Sequence, residues 1–202
     1  MITDRLEQQI HFLVEVDKLK NVLRQSYLTD GQRRENDAEH SWHFALMAIM
    51  LAEYSKAEID TLRVVKMALI HDLVEIDAGD TFAYDETGNE TKEAREELAA
   101  ERIFNLLPED LAEEVFGLWR EFEAKETPEA RFAAALDRFQ PILLNYHAGG
   151  KTWEKHDISK AQVMERNLHM SDGAPDLWAY AKKLIEQAVE KGYLSTDSIE
   201  ED

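Results

Sequence analysis

The sequence predicts an all-α protein, and three observations support that fold class. Apolar residues recur at spacings of three and four residues almost throughout the chain, as they do along one face of an amphipathic helix. Glycine and proline are scarce, at 8 and 4 of 202 residues, and the alternation of β-branched residues that is typical of strands is missing. We therefore expect one all-α helical bundle of about eight helices at residues 1–193, followed by an acidic, flexible tail at 194–202.

The first three helices are predicted from apolar stripes that follow a capping residue. The first helix opens at Thr3 or Asp4, the second at Asp37 and the third at Asp60. We expect the third helix to run to a C-terminal stop near Gly79. The apolar faces of the three helices are formed by Leu6, Ile10, Leu13, Val14 and Val16, by Phe44, Met47, Ile49, Met50 and Leu51, and by Leu62, Val65, Met67, Leu69, Ile70 and Leu73.

The middle of the chain contains a predicted loop and two predicted helices. Residues 80–90 read as a loop, because they are rich in polar and turn-forming residues. A helix resumes near Thr91 and runs to Leu107. Pro108 then starts the next helix, because proline is favoured at the start of a helix and excluded from its interior.

Proline and glycine mark the last three predicted helices. Thr127-Pro128-Glu129 combines a cap, a proline at the first helical position and an acid in the first turn, so a helix begins there. Gly149-Gly150 ends that helix. Two more helices should cover about 158–170 and 175–192, the second of which opens at its proline.

Charge and cysteine content exclude several classes of function. The 42 acidic residues against 23 basic ones give a net charge of −19, and such a surface repels phosphate polymers, so we expect no nucleic-acid partner. The absence of cysteine excludes disulfides and thiol nucleophiles, and it leaves histidine and carboxylate as metal ligands. The N-terminus has no secretory signal, and the longest nearly uncharged apolar stretch, 44–52, is too short to span a bilayer. We expect a cytoplasmic protein with no membrane partner.

A histidine–aspartate pair in the third predicted helix is a candidate metal site. His71 and Asp72 are neighbours, and Glu75 lies on their side of the helix because it is four residues from one and three from the other. A metal that lies between the two neighbouring side chains can bind both. The alternative is a buried histidine that is hydrogen-bonded to a carboxylate.

Two further residues strengthen the metal interpretation. His40 stands in the first turn of the second predicted helix. Asp137 lies in an otherwise apolar helix, where a carboxylate needs a partner. Pro141 follows four residues later and removes the backbone donor to Asp137, which predicts a kink at this turn. The alternative for Asp137 is a surface contact with Arg138 or Arg131.

Three segments together carry a resemblance to a known family. They are ENDAEHS at 35–41, HDLVEIDAGD at 71–80 and ALDRFQP at 135–141, and they give the order H…HD…D. From about Leu19 to Asn167 the chain resembles the HD-domain superfamily of metal-dependent phosphohydrolases. Within that superfamily it is most similar to the branch of YfbR-type 5′-deoxynucleotidases. The resemblance implies a bundle of helices around a central divalent metal ion.

The resemblance also implies roles for individual residues of this chain. The implied metal ligands are His40, His71, Asp72 and Asp137. Two imidazoles and two carboxylates suit Co²⁺, Mn²⁺, Mg²⁺, Ni²⁺ or Zn²⁺ without selecting one of them. Glu75 and Asp80 match the catalytic acids of the family. One of them orients or activates the attacking water, and the other contacts the sugar or assists the leaving group, an assignment that stays open at this point.

The implied phosphate contact lies in a basic stretch, 18–34, which has a net charge of +4. The resembling enzymes have an Arg-Trp pair there that positions the phosphate. Arg24-Gln25 stands close to that position, with glutamine in place of tryptophan and one extra residue before the E-H-S segment. Arg33 is the competing candidate. A solvated connector is the alternative for the whole stretch.

Five residues are predicted to bind the substrate: Arg24, Gln25, Asp72, Asp80 and Thr81. After Asp80 the resembling nucleotidases usually have an aliphatic residue and then proline, whereas this chain has Thr81-Phe82-Ala83-Tyr84-Asp85. This loop should line the sugar or base pocket. Phe82 and Tyr84 either stack on a base or anchor the loop in the core.

The function that these residues indicate is a 5′-nucleotidase, which releases phosphate from (deoxy)nucleoside 5′-monophosphates through a metal-activated water. Its partners would be a small-molecule phosphate ester and, as the resemblance implies, a second copy of the chain. One alternative is hydrolysis of a cyclic nucleotide, a nucleoside triphosphate or guanosine tetraphosphate. Another is a non-enzymatic acidic helical adaptor with a structural metal, which the presence of Glu75 and Asp80 argues against.

Overall fold

Twelve α-helices and one two-stranded antiparallel sheet form residues 3–196, the part of the chain that this computed structural model describes. Eight of these helices have eight or more residues, which confirms the predicted all-α domain of about eight helices. The other four helices are short segments of four or five residues that connect them. Residues 197–202 of the predicted tail lie outside the described residues.

The elements follow one another along the chain without long connections. Short 3₁₀ turns at Asp17–Asn21 and Ala52–Tyr54 follow the first two helices. The helices and strands are α1 (Asp4–Val16), β1 (Leu23–Tyr27), β2 (Arg34–Asn36), α2 (Asp37–Met50), α3 (Thr61–Ile70), α4 (Glu75–Ala78), α5 (Glu86–Glu90), α6 (Lys92–Phe104), α7 (Glu109–Ala124), α8 (Pro128–His147), α9 (Lys151–Lys155), α10 (Lys160–Asn167), α11 (Met170–Gly173) and α12 (Pro175–Glu190).

Most of the predicted helix starts are confirmed, and one is wrong. The side chains of Thr3, Asp60 and Thr127 accept hydrogen bonds from backbone N–H groups of the first turns of α1, α3 and α8. The predicted cap Asp37 is instead the first residue of α2. Asn36 caps this helix through a reciprocal capping box with Glu39, and Asp37 is left fully buried.

The third predicted helix is interrupted before it reaches Gly79. α3 ends at Ile70, and residues 71–74 form tight turns in which the N–H of Leu73 donates to the carbonyl of Ile70 and that of Glu75 donates to the carbonyl of Asp72. α4 then runs to a stop at Gly79, whose φ of 75° suits glycine. The His71-Asp72 pair therefore lies on a turn between two helices and not inside one.

The sheet and two short helices were not predicted. β1 pairs with β2 through Leu23 opposite Asn36 and Tyr27 opposite Arg34, so most of the basic stretch 18–34 folds as a hairpin beside α2. The predicted loop 80–90 contains α5, and α9 follows the glycine pair that ends α8. The consequence for the site is that a strand, and not a solvated connector, carries Arg24.

The core consists of two apolar clusters that meet beside the turn at 71–74. The larger cluster surrounds α8, which packs against α2, α3, α7, α11 and α12 and contributes the fully buried Phe132 and Leu136. The smaller cluster contains Leu73, Val74 and residues of α6 and α7. Ile70 packs against both clusters. The site residues that follow it are thus held between the two.

The C-terminal part of the fold adds three observations. α8 is continuous from Pro128 to His147 through Pro141, and the kink predicted there stays a prediction. Leu194 is buried, and the carbonyl of Ser195 accepts a hydrogen bond from the backbone N–H of Lys160 at 3.0 Å, so packing continues past residue 193. None of the described helices is long and apolar enough to cross a membrane.

The contact between α11 and α8 leaves no room for a side chain at Gly173. A Cβ atom there would lie 2.1 Å from the carbonyl oxygen of Arg131 and 2.7 Å from the backbone nitrogen of Phe132. We expect Gly173→Ala to lower the free energy of unfolding by about 3 kcal/mol, because the backbones must move apart. Gly117→Ala is the matched control, since a Cβ there meets nothing within 4 Å. It should raise stability by about 0.5–1 kcal/mol. Urea denaturation of both variants measures the difference, and equal stabilities would contradict the prediction.

Candidate metal centre and active site

The four predicted metal ligands converge from three separate elements. His40 comes from the first turn of α2, His71 and Asp72 from the turn after α3, and Asp137 from the middle of α8. His40 Nε2 lies 3.1 Å from Asp137 Oδ1 and 3.8 Å from Asp72 Oδ2. His71 Nε2 lies 3.1 Å from Asp72 Oδ2 and 3.8 Å from Asp137 Oδ1. The two rings and two carboxylates therefore face one small space.

Hydrogen bonds on the far side of each ring determine which nitrogen carries the proton. His71 Nδ1 lies 3.0 Å from the carbonyl oxygen of Ala68, which can only accept, so Nδ1 is the protonated nitrogen. His40 Nδ1 lies 3.1 Å from Gln140 Oε1. The amide of Gln140 is oriented by its own donation to Glu35 Oε1 at 2.6 Å. In the neutral form of both rings, the lone pair of Nε2 therefore points at carboxylate oxygens.

The nitrogen lone pairs and the negative carboxylate oxygens repel one another, so a cation is required between them. His71 Nε2 is buried and has no hydrogen-bond partner among residues 3–196. Burial lowers the pKa of the His71 imidazole, but the charges of Asp72 and Asp137 outweigh burial and raise this pKa to about 10. A proton on His71 is one way to supply the positive charge. A divalent metal ion is the other, and two imidazole nitrogens with two carboxylates are a donor set that fits it.

Arg24 reaches this centre from β1 and is surrounded by carboxylates. Its Nη1 donates to Asp72 Oδ2 at 2.8 Å and to Asp37 Oδ1 at 3.2 Å, and its Nε lies 4.0 Å from Glu35 Oε2. Burial opposes the charge of the guanidinium, but the charges of Asp72, Glu75, Asp80 and Asp37 hold the pKa of Arg24 well above its usual value. Arg24 therefore fixes the orientation of the Asp72 carboxylate.

Three acids form a second cluster beside the first. One oxygen from each of Asp37, Glu75 and Asp80 lies within 4.8 Å of the others. Burial and the nearby charges of Asp72 and Asp37 raise the pKa of Glu75 well above its usual value. Burial and Asp72 also raise the pKa of Asp37 to about 7. Asp37 Oδ2 and Glu75 Oε2 are buried without a hydrogen-bond partner within residues 3–196, and carboxylates this close oppose one another's ionisation.

Sequence reasoning missed Asp37 as a member of the site, because it was assigned as a helix cap. A signal was available in the sequence. Asn36 is followed three residues later by Glu39, which is the pattern of a capping box and makes a second cap unnecessary. An aspartate that is free of the capping role and stands three residues before His40 is a candidate to face inward.

A cavity of about 280 Å³ joins the two clusters to the surrounding loops. Eight of the nine predicted site residues line it, and the ninth, His40, is completely buried behind them. The predicted residues in the wall are Arg24, Gln25, His71, Asp72, Glu75, Asp80, Thr81 and Asp137. Lys92, Arg138 and Arg166 also line the cavity and were not predicted as site residues. The structure therefore brings the whole predicted set to one place.

Gln25 and Thr81, the remaining predicted substrate contacts, make polar contacts to other residues at the cavity. Gln25 Oε1 lies 3.3 Å from His156 Nε2, and the Thr81 hydroxyl accepts a hydrogen bond from Arg95 Nη2 at 2.9 Å. Arg33, the competitor of Arg24, is exposed and donates two hydrogen bonds to Glu39 at 2.8 and 2.6 Å. It lies outside the residues that line the cavity, which favours Arg24 over Arg33.

The aromatic residues of the 81–85 loop contact one another and the core. The ring of Phe82 lies 4.3 Å from that of His156 and 5.4 Å from that of Tyr84. Phe82 and Tyr84 both pack against the larger apolar cluster. These contacts favour the interpretation of the two residues as anchors of the loop over stacking on a base.

A comparison of the sequence with known protein families agrees with the order and geometry of the proposed ligands. The sequence profile of the HD domain family matches residues 16–178, which is most of the chain. This chain belongs to the HD domain family. The match contains every residue of the two clusters, and it confirms the family that the H…HD…D pattern predicted.

Two relatives of this HD domain protein are named 5′-deoxynucleotidases. It is 36% identical over 135 residues to a protein named 5′-deoxynucleotidase HDDC2 from Homo sapiens, and the alignment spans 66% of this chain and 65% of that one. A protein named 5′-deoxynucleotidase hdd1 from Schizosaccharomyces pombe is 27% identical over 191 residues, which is 92% of this chain and 86% of that one. The chain thus aligns with slightly less than two thirds of the human relative's length.

A solved structure confirms the fold. It is described as a predicted metal-dependent phosphohydrolase from Magnetospirillum magnetotacticum MS-1 and is 52% identical to this chain. It superimposes with a TM-score of 0.92 and covers 96% of this chain and 100% of its own. The predicted all-α HD-type bundle is therefore confirmed by a protein of experimentally determined structure.

Proposed function

We propose that this HD domain protein is a metal-dependent 5′-deoxynucleotidase, which hydrolyses deoxynucleoside 5′-monophosphates to nucleosides and inorganic phosphate. One observation carries the proposal: two imidazole lone pairs and two carboxylates face one space beside a cavity that Glu75 and Asp80 also line. The relatives named 5′-deoxynucleotidase support the choice of substrate class.

In this proposal His40, His71, Asp72 and Asp137 hold a divalent ion, which is Co²⁺, Mn²⁺, Mg²⁺, Ni²⁺ or Zn²⁺. The bound ion would lower the pKa of a water molecule and offset the negative charge of the phosphate. The hydrogen bonds from Nδ1 of each ring, to Gln140 and to the carbonyl of Ala68, keep the imidazoles in the tautomer that can bind a metal.

We assign the two catalytic acids by their burial. Glu75 is buried beside Asp37 and has a raised pKa, so it is suited to take the proton of the attacking water. Asp80 is half-buried where the chain leaves α4, and we place it at the sugar and the leaving oxygen. As water adds to phosphorus, the bond from phosphorus to the 5′ oxygen breaks, and that oxygen takes up a proton to give the nucleoside.

The substrate-binding residues in this proposal are Arg24, Gln25, Asp72, Asp80 and Thr81. Their position in the wall of one cavity supports the assignment, since a single small ligand can reach all five. The cavity of about 280 Å³ suits a small phosphate ester and is too small for a nucleic-acid polymer.

A metal analysis and a substrate screen test the proposal. The purified protein should contain close to one divalent ion per chain, and phosphate release with Mn²⁺ or Co²⁺ should be fastest with deoxynucleoside 5′-monophosphates. Hydrolysis of cyclic nucleotides, nucleoside triphosphates or guanosine tetraphosphate alone would show the alternative HD activity. A protein with no bound metal and no hydrolysis of any phosphate ester would contradict both enzymatic interpretations.

Arg24 offers a separate prediction. Arg24→Ala should reduce phosphate release by about 10- to 100-fold while the metal content stays normal, because Arg24 orients Asp72 from outside the proposed ligand set. Arg33→Ala is the matched control from the same basic stretch, and its activity should be that of the wild type, since Arg33 is exposed and paired with Glu39. Loss of the metal from Arg24→Ala would instead show that Arg24 is needed for the metal site itself.

We also propose that the protein is a homodimer. α1 exposes a row of apolar side chains, with Leu6, Ile10, Leu13 and Val14 accessible to 46%, 52%, 60% and 65%. Contiguous apolar patches of this kind often mark interaction sites in proteins. Sedimentation equilibrium should give twice the chain mass of 23.3 kDa, whereas a single-chain mass would contradict the dimer. The cytoplasmic location stays a prediction.

A further inference from the structure

Two arginines in the cavity wall have a buried hydrogen-bond donor without an acceptor. Arg138 lies on α8 and Arg166 on α10, and both line the cavity. The Nε atom of each is buried and has no hydrogen-bond partner within residues 3–196. A buried donor without an acceptor costs free energy, and more so when it belongs to a charged group. An anion in the cavity would supply the missing acceptors.

The charge of this arginine pair, Arg138 and Arg166, is also poorly offset. The carboxylate near Arg138 is that of Asp137, with Oδ2 at 3.8 Å from Nε. Arg166 forms no ion pair within the described part of the chain, and its guanidinium lies 5.7 Å from the centre of the Tyr84 ring. Burial and the charge of Arg138 lower the pKa of Arg166 to about 10, so it is still positive at neutral pH.

Arg24 differs from the arginine pair in its ion pairs, although its Nε is also buried without a hydrogen-bond partner within residues 3–196. Arg24 contacts the Asp72 side of the centre and is neutralised by Asp72, Asp37 and Glu35. Arg138 stands at the Asp137 side, with its Nε 3.8 Å from Asp137 Oδ2, and its charge acts on Arg166. Arg138 has this one acid and Arg166 has no ion pair within residues 3–196, so these two arginines, together with the exposed Lys125 of the cavity wall, are positive charges that remain available to a ligand.

We propose that Arg138 and Arg166 form a phosphate-binding subsite, which holds the nonbridging oxygens of the substrate phosphate beside Asp137. The identity of the anion rests on the proposed function, since a phosphate monoester brings up to two negative charges to this cavity. Guanidinium groups suit this task, because they donate two parallel hydrogen bonds to phosphate oxygens. Arg24 then orients Asp72 and meets the substrate from the Asp72 side, and the arginine pair binds the phosphate from the Asp137 side.

Calorimetric titration of inorganic phosphate into the metal-loaded protein tests the subsite without any turnover. Arg138→Gln and Arg166→Gln should each weaken phosphate binding by about tenfold or more, because each variant loses charge-assisted hydrogen bonds to the phosphate oxygens. Arg138→Lys keeps the charge and should recover part of the affinity. Arg131→Gln is the matched control, since Arg131 is an exposed residue of the same helix that donates to the carbonyl of Lys125. It should bind phosphate like the wild type.

The outcomes separate the subsite from the proposed function. Weakened phosphate binding in the two glutamine variants, with normal metal content, supports the subsite even if no nucleotide is hydrolysed. Unchanged phosphate affinity in both variants, together with an unchanged KM for any nucleotide that the wild type hydrolyses, overturns the subsite and leaves the proposed function standing. A KM that rises in both variants while kcat changes less is the kinetic result that we expect.

Discussion

Asp72→Ala is expected to abolish metal binding and to lower the rate of phosphate release by a factor on the order of a thousand or more. Asp72 Oδ2 lies close to both imidazoles and to Arg24. It lies 3.1 Å from His71 Nε2 and 3.8 Å from His40 Nε2, and it accepts a hydrogen bond from Arg24 at 2.8 Å. Its removal leaves two imidazoles with a single carboxylate, and Arg24 beside them loses the nearest of its three carboxylates. A cation is then disfavoured at the position where the metal is proposed.

The measurement is metal content by mass spectrometry, followed by a phosphate-release assay at saturating metal. Asp77→Ala is the matched control, because Asp77 is an exposed aspartate five residues along the chain that accepts a hydrogen bond from Arg102 at 2.8 Å. We expect the control to keep both its metal and its activity. An Asp72→Ala protein that retains a full equivalent of metal and normal activity would show that the ion binds elsewhere.

The parts of this site that could be predicted are those with local signals. His71-Asp72 is a dipeptide, and Asp137 is conspicuous because it interrupts an apolar helical face. The caps at Asp60 and Thr127 act on the turn that follows them, so periodicity and a single residue were enough to locate those helices. Signals of this kind depend on neighbours within about four residues, which a sequence shows directly.

The parts that were missed depend on contacts between distant segments. The hairpin pairs Leu23 with Asn36, and its two short strands carry no alternation that distinguishes them from a loop. Whether Asp37 faces water or Arg24 is decided by that hairpin and not by the helix it begins. The break after Ile70 has the same origin, since the turn fits between two apolar clusters that form only in the folded chain.

The acidic protein places several positive side chains at the cavity where an anionic substrate is proposed to bind. The net charge of −19 repels phosphate at a distance, yet the cavity wall contains Arg24, Lys92, Lys125, Arg138 and Arg166. Lys92 is itself paired with Glu96 at 3.0 Å, and Arg24 with three carboxylates. A divalent ion and the arginine pair are therefore needed to make the cavity attractive to phosphate. Without the ion, the carboxylates of both clusters would oppose the substrate.

Glu75→Gln is the second change for which we expect a large effect, and it acts on the chemical step. The amide keeps the size of the side chain but cannot accept the proton of the attacking water. We expect kcat to fall by about 10²- to 10⁴-fold, which is the usual contribution of a positioned general base. The KM and the metal content should change little, because Glu75 lies outside the four proposed ligands. Steady-state kinetics and metal analysis of the same preparation provide both values.

Glu97→Gln provides the control for this experiment, since Glu97 is a half-exposed glutamate that pairs with Arg120 at 2.8 Å. Its kcat should equal that of the wild type.

Asp80→Asn then distinguishes the two acids. If Asp80 acts on the leaving oxygen, its loss should slow substrates with poor leaving groups more than an activated ester such as a nitrophenyl phosphate. Glu75→Gln should slow both kinds of substrate to a similar extent, because water must lose its proton in either case. A reversed pattern would exchange the roles of Glu75 and Asp80, and an unchanged kcat in Glu75→Gln would remove Glu75 from the mechanism.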